Sequence, residues 1–218
     1  YKRFDETIKD INKSLKFLNT IRNDVNLFSE EKFNDFYISH ECLLLDYESS
    51  LTRKNTNTFY NSSAHMVWLG DRTRNINSAH VEYLSGIDNP VGIKCGPSLD
   101  VAELKLIIQK INPDNEKGKI VLICRFGANK ITEKLPTLIK MIIKNNLNVI
   151  WTCDPMHGNT YKSKNQFKTR SFNAITRELE LFFDIHYNNQ TNVNGVHFEL
   201  TPNDVTECVG GIRNIKES

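Results

Sequence analysis

The sequence predicts an α/β protein built on a parallel sheet, and three features point to it. Short β-branched runs recur at near-constant intervals, amphipathic helical stretches fill the gaps, and each run ends in a charged or metal-competent residue, usually beside glycine or proline. The runs are residues 36–39, 65–69, 91–94, 120–124, 149–153 and 196–200. The middle four begin 26, 29 and 29 residues apart, about one strand–helix unit each. They are apolar throughout rather than strictly alternating, as strands covered by helices are.

The helices follow in order. The stretch 3–22 carries Ile8, Ile11, Leu15 and Leu18 as an apolar stripe. Val101, Leu104, Ile107, Ile108 and Ile111 share one face of a 3.6-residue period, and Asp100 followed by Glu103 resembles an N-cap with a capping box. Leu135, Leu138, Ile139, Ile142 and Ile143 repeat the pattern after Thr132. Ile175, Leu179, Phe182 and Phe183 repeat it again after Asn173. Such alternation leaves two architectures, the doubly wound sheet and the (β/α)8 barrel. Neither GxGxxG nor GxxxxGK[ST] follows any strand, which removes the strongest argument for a nucleotide-binding open sheet. No linker or low-complexity tract breaks the chain, so residues 1–218 are expected to form one domain.

Composition excludes several classes of function. The 218 residues hold 28 Lys+Arg against 26 Asp+Glu, a net charge of +2, with no long basic block to read as a nucleic-acid footprint. Hydrophobic residues at 39% and a mean hydropathy of −0.45 describe an ordinary globular chain. No apolar run approaches the ~20 residues of a membrane helix. The five cysteines are odd in number, far apart and never spaced as CxxC, which argues against a disulfide framework or zinc ribbon and for a reducing compartment.

The strand ends carry the chemistry. They read His40-Glu41, Gly70-Asp71-Arg72, Lys94-Cys95-Gly96-Pro97, Arg125-Phe126-Gly127, Asp154-Pro155-Met156-His157-Gly158 and Glu199-Leu200-Thr201. In a barrel these ends converge on one mouth. Arg72, Lys94 and Arg125 come from successive strands, and three cations in one mouth call for a phosphate or carboxylate. Each alone reads as readily as a cation reaching water or a local acid such as Asp71; three at equivalent positions favour a bound anion. His157 and Glu199 are suitable ligands for a divalent cation, although catalytic sites normally use three protein groups. Cys153, Cys95 and Cys124 read as buried, inert thiols. Lys168 and Arg170 suit a second phosphate, but solvated loop charges are the default. His65, His80, His186 and His197 lack a nucleophile at a recognisable spacing, and Trp68 and Trp151 read as core or wall residues.

Several of these stretches together form a longer signature. WLGDRTR at 68–74, HVEY at 80–83, GIKCGP at 92–97, RFG at 125–127, CDPMHGNT at 153–160, FKTR at 167–170, GVHFELT at 195–201 and VTECVGG at 205–211 resemble class II (plant-type) 3-deoxy-D-arabino-heptulosonate 7-phosphate (DAHP) synthase, in the family's order. The resemblance runs from about His40 to about Gly211. It implies a (β/α)8 barrel that condenses phosphoenolpyruvate with erythrose 4-phosphate and water, on the route to chorismate and the aromatic amino acids. It implies a divalent metal, often manganese or cobalt, acting as a Lewis acid. Carried onto matching positions, Asp71, Arg72, Lys94 and Arg125 would bind phosphoenolpyruvate, His157 and Glu199 would hold the metal, and Lys94, Arg125 and His157 would be the catalytic set.

Two further metal ligands of the family, a Cys and an Asp, belong to motifs that this sequence does not carry. The expectation is therefore an incomplete barrel over residues 1–218, with about the third to eighth strands present. Such a piece should expose strand edges near 36–39 and 196–200, and should be oligomeric or insoluble and catalytically silent when made alone. The alternative is a silent barrel fragment or a non-catalytic binding or regulatory protein derived from it. No nucleic acid or membrane partner is expected. The full-length family members are commonly homo-oligomeric, in the cytoplasm, or in the plastid of a plant.

Overall fold

β-Branched runs that bury every side chain make the centre of the computed structural model, which describes residues 5, 8–10, 12–13, 37–199, 208–211 and 215–216. Residues 1–37 and 38–218 are separate compact units. Of the first, Asp5, Ile8, Lys9, Asp10, Asn12 and Lys13 are helical, and the rest of the 3–22 stretch lies outside the described residues.

The second unit begins with β1 (Ser39–Glu41), α1 (Leu45–Ser50), β2 (Thr52–Asn55) and β3 (Thr58–Asn61). β4 (Met66–Leu69), α2 (Ala79–Ser85), β5 (Val91–Cys95), α3 (Val101–Ile111), β6 (Ile120–Cys124), α4 (Ile131–Lys144) and β7 (Ile150–Cys153) follow. β8 (Thr160–Lys162), β9 (Lys168–Ser171), α5 (Phe172–Asn188), β10 (Gly195–Val196) and β11 (Cys208–Val209) complete it. β1-β4-β5-β6-β7-β10 form one six-stranded sheet, parallel at every pairing. β2–β3 is a separate antiparallel hairpin, and β8–β9 is another, extended by β11.

The sheet curls. Trp68 on β4 and His197 just past β10 are four strand steps apart, about 19 Å in a flat sheet. Yet their rings meet edge-on at 5.0 Å between centroids. Only a sheet bent like part of a barrel wall brings those two tips together.

The two faces of the strands divide the work. Val91, Ile93 and Cys95, with Ile120, Leu122 and Cys124, pack under the helices in one core with Leu104, Ile107, Ile108, Leu135, Leu138, Ile139 and Phe182. Each such fully buried aliphatic side chain contributes about 1.5–3 kcal/mol. Gly92 and Lys94 face the other way. A Cβ on Gly92 would press within 2.7 Å of the Trp68 Cβ, so glycine here makes room for the indole on which Lys94 rests, its Nζ 5.4 Å from the ring centroid.

Helix starts differ in detail from the sequence reading. Asp100 caps α3 as expected, its Oδ1 accepting the Ala102 N–H at 2.8 Å, but Glu103 closes no capping box; its Oε1 accepts the Ile76 N–H instead. α4 begins after Lys130 rather than Thr132, and α5 after Ser171 rather than Asn173. Ile143 and Phe183, placed on the apolar stripes, are about half exposed because each sits at the margin of its helix's buried face. Among the described residues, no helix is long and apolar enough to cross a membrane.

Candidate active site

The ladder runs one step beyond three strands: Arg125 N–H donates to Cys95 O, Asp154 N–H to Cys124 O, and His197 N–H to Cys153 O. Residues just past the strands are thereby held as firmly as those inside them. Lys94, at the end of β5, places Nζ 2.6 Å from Asp154 Oδ2, both side chains being nearly inaccessible. Asp154 Oδ1 accepts the N–H groups of Met156 and His157, which turns the chain so that His157 Nδ1 lies 2.8 Å from Oδ2. Burial alone would raise the Asp154 pKa. The His157 hydrogen bond and the Lys94 ammonium overcome it and hold the carboxyl well below the usual range.

A carboxylate only accepts, so His157 Nδ1 donates to Asp154, which turns Nε2 toward the cavity. Nε2 faces Glu199 Oε2 at 3.2 Å. Two electron-rich atoms at that separation need a proton or a cation between them. Two ligands at about 2.1 Å from one ion, at right angles, are about 3 Å apart. The pair fits a divalent metal, and the Asp154–His157 bond is the outer support that such an imidazole ligand uses. His157 and Glu199 are the residues that would hold it. Among the described residues, no group of three or more His, Cys, Asp or Glu side chains is spaced to surround an ion.

Arg125 projects from the end of β6, its Nη1 3.1 Å from Asp71 Oδ2 and its Nη2 donating to His157 O at 2.9 Å. Asp71 also receives Arg74, whose buried guanidinium lies 2.7 Å from Oδ1 and donates to Lys94 O. Asp71 thus braces two arginines. Arg72 is exposed, with no ion-pair partner among the described residues. A Cβ on Gly96 would lie 2.9 Å from the Arg125 guanidinium, so this turn leaves space for it.

These tips share one cavity of about 770 Å³, lined among others by Glu41, Trp68, Asp71, Arg72, Lys94, Arg125, His157, His197 and Glu199. All six residues nominated from the strand ends are on its wall. Two of the three cations are already answered, Lys94 by Asp154 and Arg125 by Asp71, so an incoming anion would meet oriented guanidinium and ammonium groups and, in Arg72, a guanidinium with no ion-pair partner among the described residues.

The structure corrects several readings. Glu199 lies in the segment after β10, which ends at Val196, rather than inside a strand. Arg170 is no solvated loop charge: it belongs to β9, is 4% exposed, and joins Met156 O through Nε and Glu199 Oε2 through Nη2. Lys168 is exposed and does not line the cavity. Asp154, Arg74 and Glu178 received no role from the sequence. Asp154 sits at a strand end and was legible there by position; the other two carried no local signal. Cys95, Cys124 and Cys153 are wholly buried free thiols. Burial pushes the pKa values of Cys124 and Cys153 well up, so neither is a ready metal ligand or nucleophile.

Comparison with known proteins agrees with this geometry. Residues 1–218 match the model of the Class-II DAHP synthetase family. A phospho-2-dehydro-3-deoxyheptonate aldolase of Streptomyces coelicolor is 43% identical over 211 residues, covering 96% of this chain and 46% of the relative. One of Neurospora crassa is 40% identical over 235 residues, covering 99% and 48%. The phospho-2-dehydro-3-deoxyheptonate aldolase AroG of Mycolicibacterium smegmatis is 37% identical over 224 residues, covering 99% and 47%. The chain spans about half the length of the curated relatives it matches.

Proposed function

Because the chain belongs to the class-II DAHP synthetase family, we propose that it carries the phosphoenolpyruvate and metal side of a DAHP synthase site, the first step toward chorismate and the aromatic amino acids. The observation that carries this reading is the single cavity shared by Arg72, Lys94, Arg125, His157 and Glu199. We take the plant-type subclass and a (β/α)8 barrel, of which the curled sheet is six strands, as part of the same proposal. A cytoplasmic site of action, or a plastid one in a plant, and a homo-oligomeric full-length enzyme go with it.

In the reaction, C3 of phosphoenolpyruvate bonds to the aldehyde carbon of erythrose 4-phosphate, water adds at C2, and the C2–O bond to phosphate breaks. A divalent metal, manganese or cobalt by resemblance, would supply Lewis acidity at the aldehyde oxygen. Arg125 and Arg72 are suited to grip phosphate, since a guanidinium presents paired N–H groups to two oxygens. Lys94, buried and oriented by Asp154, is suited to the carboxylate or to charge developing at C2. Asp154 keeps the proton on His157 Nδ1, so that Nε2 stays free to ligate.

The test uses the protein that contains this chain, supplied with both substrates and manganese, and follows phosphate release. Metal-dependent release that needs both substrates supports the reading. Arg125→Ala and His157→Ala should each abolish it; unaffected turnover in either variant overturns the site assignment. Equal turnover with other aldehyde phosphates would point to a different aldol-type barrel enzyme. The silent or purely regulatory alternative is the weaker reading, because the cavity gathers Arg72, Lys94 and Arg125 with the His157–Glu199 pair.

A further inference from the structure

Glu178, in the middle of α5, is wholly buried and does not line the cavity, yet it is bonded to both loops that do. Its Oε1 accepts the Gly127 N–H at 2.8 Å. Its Oε2 accepts an Nδ2 hydrogen of Asn159 at 2.7 Å. Asn159 is itself fixed in orientation, because its Oδ1 accepts the Ala128 N–H and its Nδ2 also donates to Pro155 O. At Gly158 the two loops meet backbone to backbone: a Cβ there would collide with Gly127 N and come within 2.9 Å of Arg125 O. Gly127 takes φ +82°, a conformation open to glycine and strained for other residues.

We propose that Glu178 is a positioning residue: through Gly127 and Asn159 it clamps the loop bearing Arg125 against the loop bearing Asp154 and His157, and so sets the spacing of the cationic grip from the imidazole. Arg125 Nη2 to His157 O, at 2.9 Å, is the contact on the cavity side that this clamp holds in register. The consequence for chemistry rests on the proposed function; the clamp itself rests only on the bonds just named.

Above about pH 7, where Glu178 is ionised, the arrangement needs a carboxylate. Two N–H groups converge on it, one at each oxygen, and glutamine would turn its NH2 toward one of them. Asn159 cannot flip to compensate without losing both Ala128 and Pro155. A group that only filled space would tolerate Glu178→Gln, which has the same shape.

The experiment is amide hydrogen exchange on the full chain and its E178Q variant, together with equilibrium dialysis against manganese, both at about pH 8, where Glu178 is ionised. In E178Q the amides of residues 126–128 and of 156–159 should exchange at least about tenfold faster, while those of Ile93 and Leu122 stay protected. Manganese affinity should fall about 10- to 100-fold, the range seen when an outer support of a metal ligand is lost. Acceleration confined to 126–128 would overturn the clamp, as would uniform acceleration that includes Ile93 and Leu122. If E178Q does not fold, Asn159→Asp, which sets one carboxylate oxygen against another, decides on the same readouts. A wild-type chain that binds no manganese removes the metal reading of His157 and Glu199, and amide exchange then decides the clamp alone.

Discussion

Two buried carboxylates, Glu48 and Asp154, solve the same physical problem in different places. Glu48, on α1, is 1% exposed and accepts from Asn61 Nδ2 at 2.5 Å, His40 Nε2 at 2.7 Å and Ser63 Oγ at 2.8 Å. Burial raises its pKa, the donors lower it more, and the net shift is downward. Asp154 is fully buried and bound by Lys94, His157 and two backbone N–H groups, with the same net direction. None of Glu48, His40, Asn61 and Ser63 lines the cavity, whereas Lys94 and His157 both do. The Glu48 group ties the β2–β3 hairpin to β1. It even mimics a Ser–His–Glu set, but His40 Nε2 meets both other members and Ser63 donates to Glu48, so no nucleophile is activated. A satisfied buried acid is therefore no sign of a site. What distinguishes Asp154 is that its partners Lys94 and His157 are themselves part of the cavity wall.

The largest test of that difference removes each acid in turn. Asp154→Ala leaves a buried ammonium unpaired and should cost about 3–5 kcal/mol of stability. It should also abolish manganese binding at His157. Glu48→Ala should cost about 1–3 kcal/mol through its stranded donors and leave metal binding intact. Denaturant unfolding and metal titration of both variants check this; metal binding lost equally in both would erase the distinction.

Two other buried groups set opposite pH slopes. Burial raises Glu178 from 4.5 to about 7, against the opposing hydrogen bonds from Gly127 and Asn159. The folded state therefore holds the extra proton between those values, and this stability, fully present below pH 4.5, is lost as pH rises through about 7. Burial lowers His186 from 6.5 to about 4. Its Nε2 has no hydrogen-bond partner among the described residues, and its ring is wedged against Trp151 and Phe182. Here the unfolded state binds the extra proton, so stability present above pH 6.5 is lost as pH falls toward 4. Each effect amounts to roughly 3 kcal/mol at full extent, and between pH 4.5 and 6.5 the two nearly cancel. His186→Phe should make stability rise on acidification over that window, and E178Q should make it fall. Unfolding free energies at several pH values read both slopes; parallel slopes in the two variants would contradict the assignment.

How much of this was legible depends on how local the cause is. The four inner sheet strands were readable because Val, Ile and Leu runs such as 120–124 are apolar on both faces; the edge strands β1 and β10 meet the expected runs 36–39 and 196–200 at one residue each, because Ser39-His40-Glu41 and Gly195-Val196 carry little apolar signal. The hairpin β2–β3 was not, since TRKN and TFYN are exposed along most of their length and paired by backbone bonds rather than burial. α1 and α2, at six and seven residues, are too short for a periodic stripe. At the site, Lys94, Arg125 and His157 follow strand ends, where position alone marks them. Asp154 draws its role from Lys94, 60 residues away, and Glu178 from Gly127, 51 away. Such pairings come from the curl of the sheet and leave no local pattern. The same holds for Arg170, whose burial depends on contacts with Met156 and Glu199.

The smallest expected stability change separates two arginines of one motif. Arg74 is 6% exposed along its side chain and neutralises Asp71 at 2.7 Å; Arg72, two residues before it, is exposed on the cavity wall. Arg74→Ala strips Asp71 of one of its two cations and frees the Lys94 carbonyl, so it should destabilise by about 2–3 kcal/mol. Arg72→Ala removes no partnered group and should shift stability by less than about 0.5 kcal/mol. Its effect should fall on binding instead: an exposed guanidinium that meets phosphate only when ligand arrives contributes about 1.5–3 kcal/mol there, roughly a 10- to 100-fold loss in phosphoenolpyruvate affinity. Thermal unfolding and calorimetric titration with phosphoenolpyruvate resolve the pair. Arg72→Ala that unfolds early, or that binds the ligand unchanged, would show that its exposure on the cavity wall does not reflect a waiting anion contact.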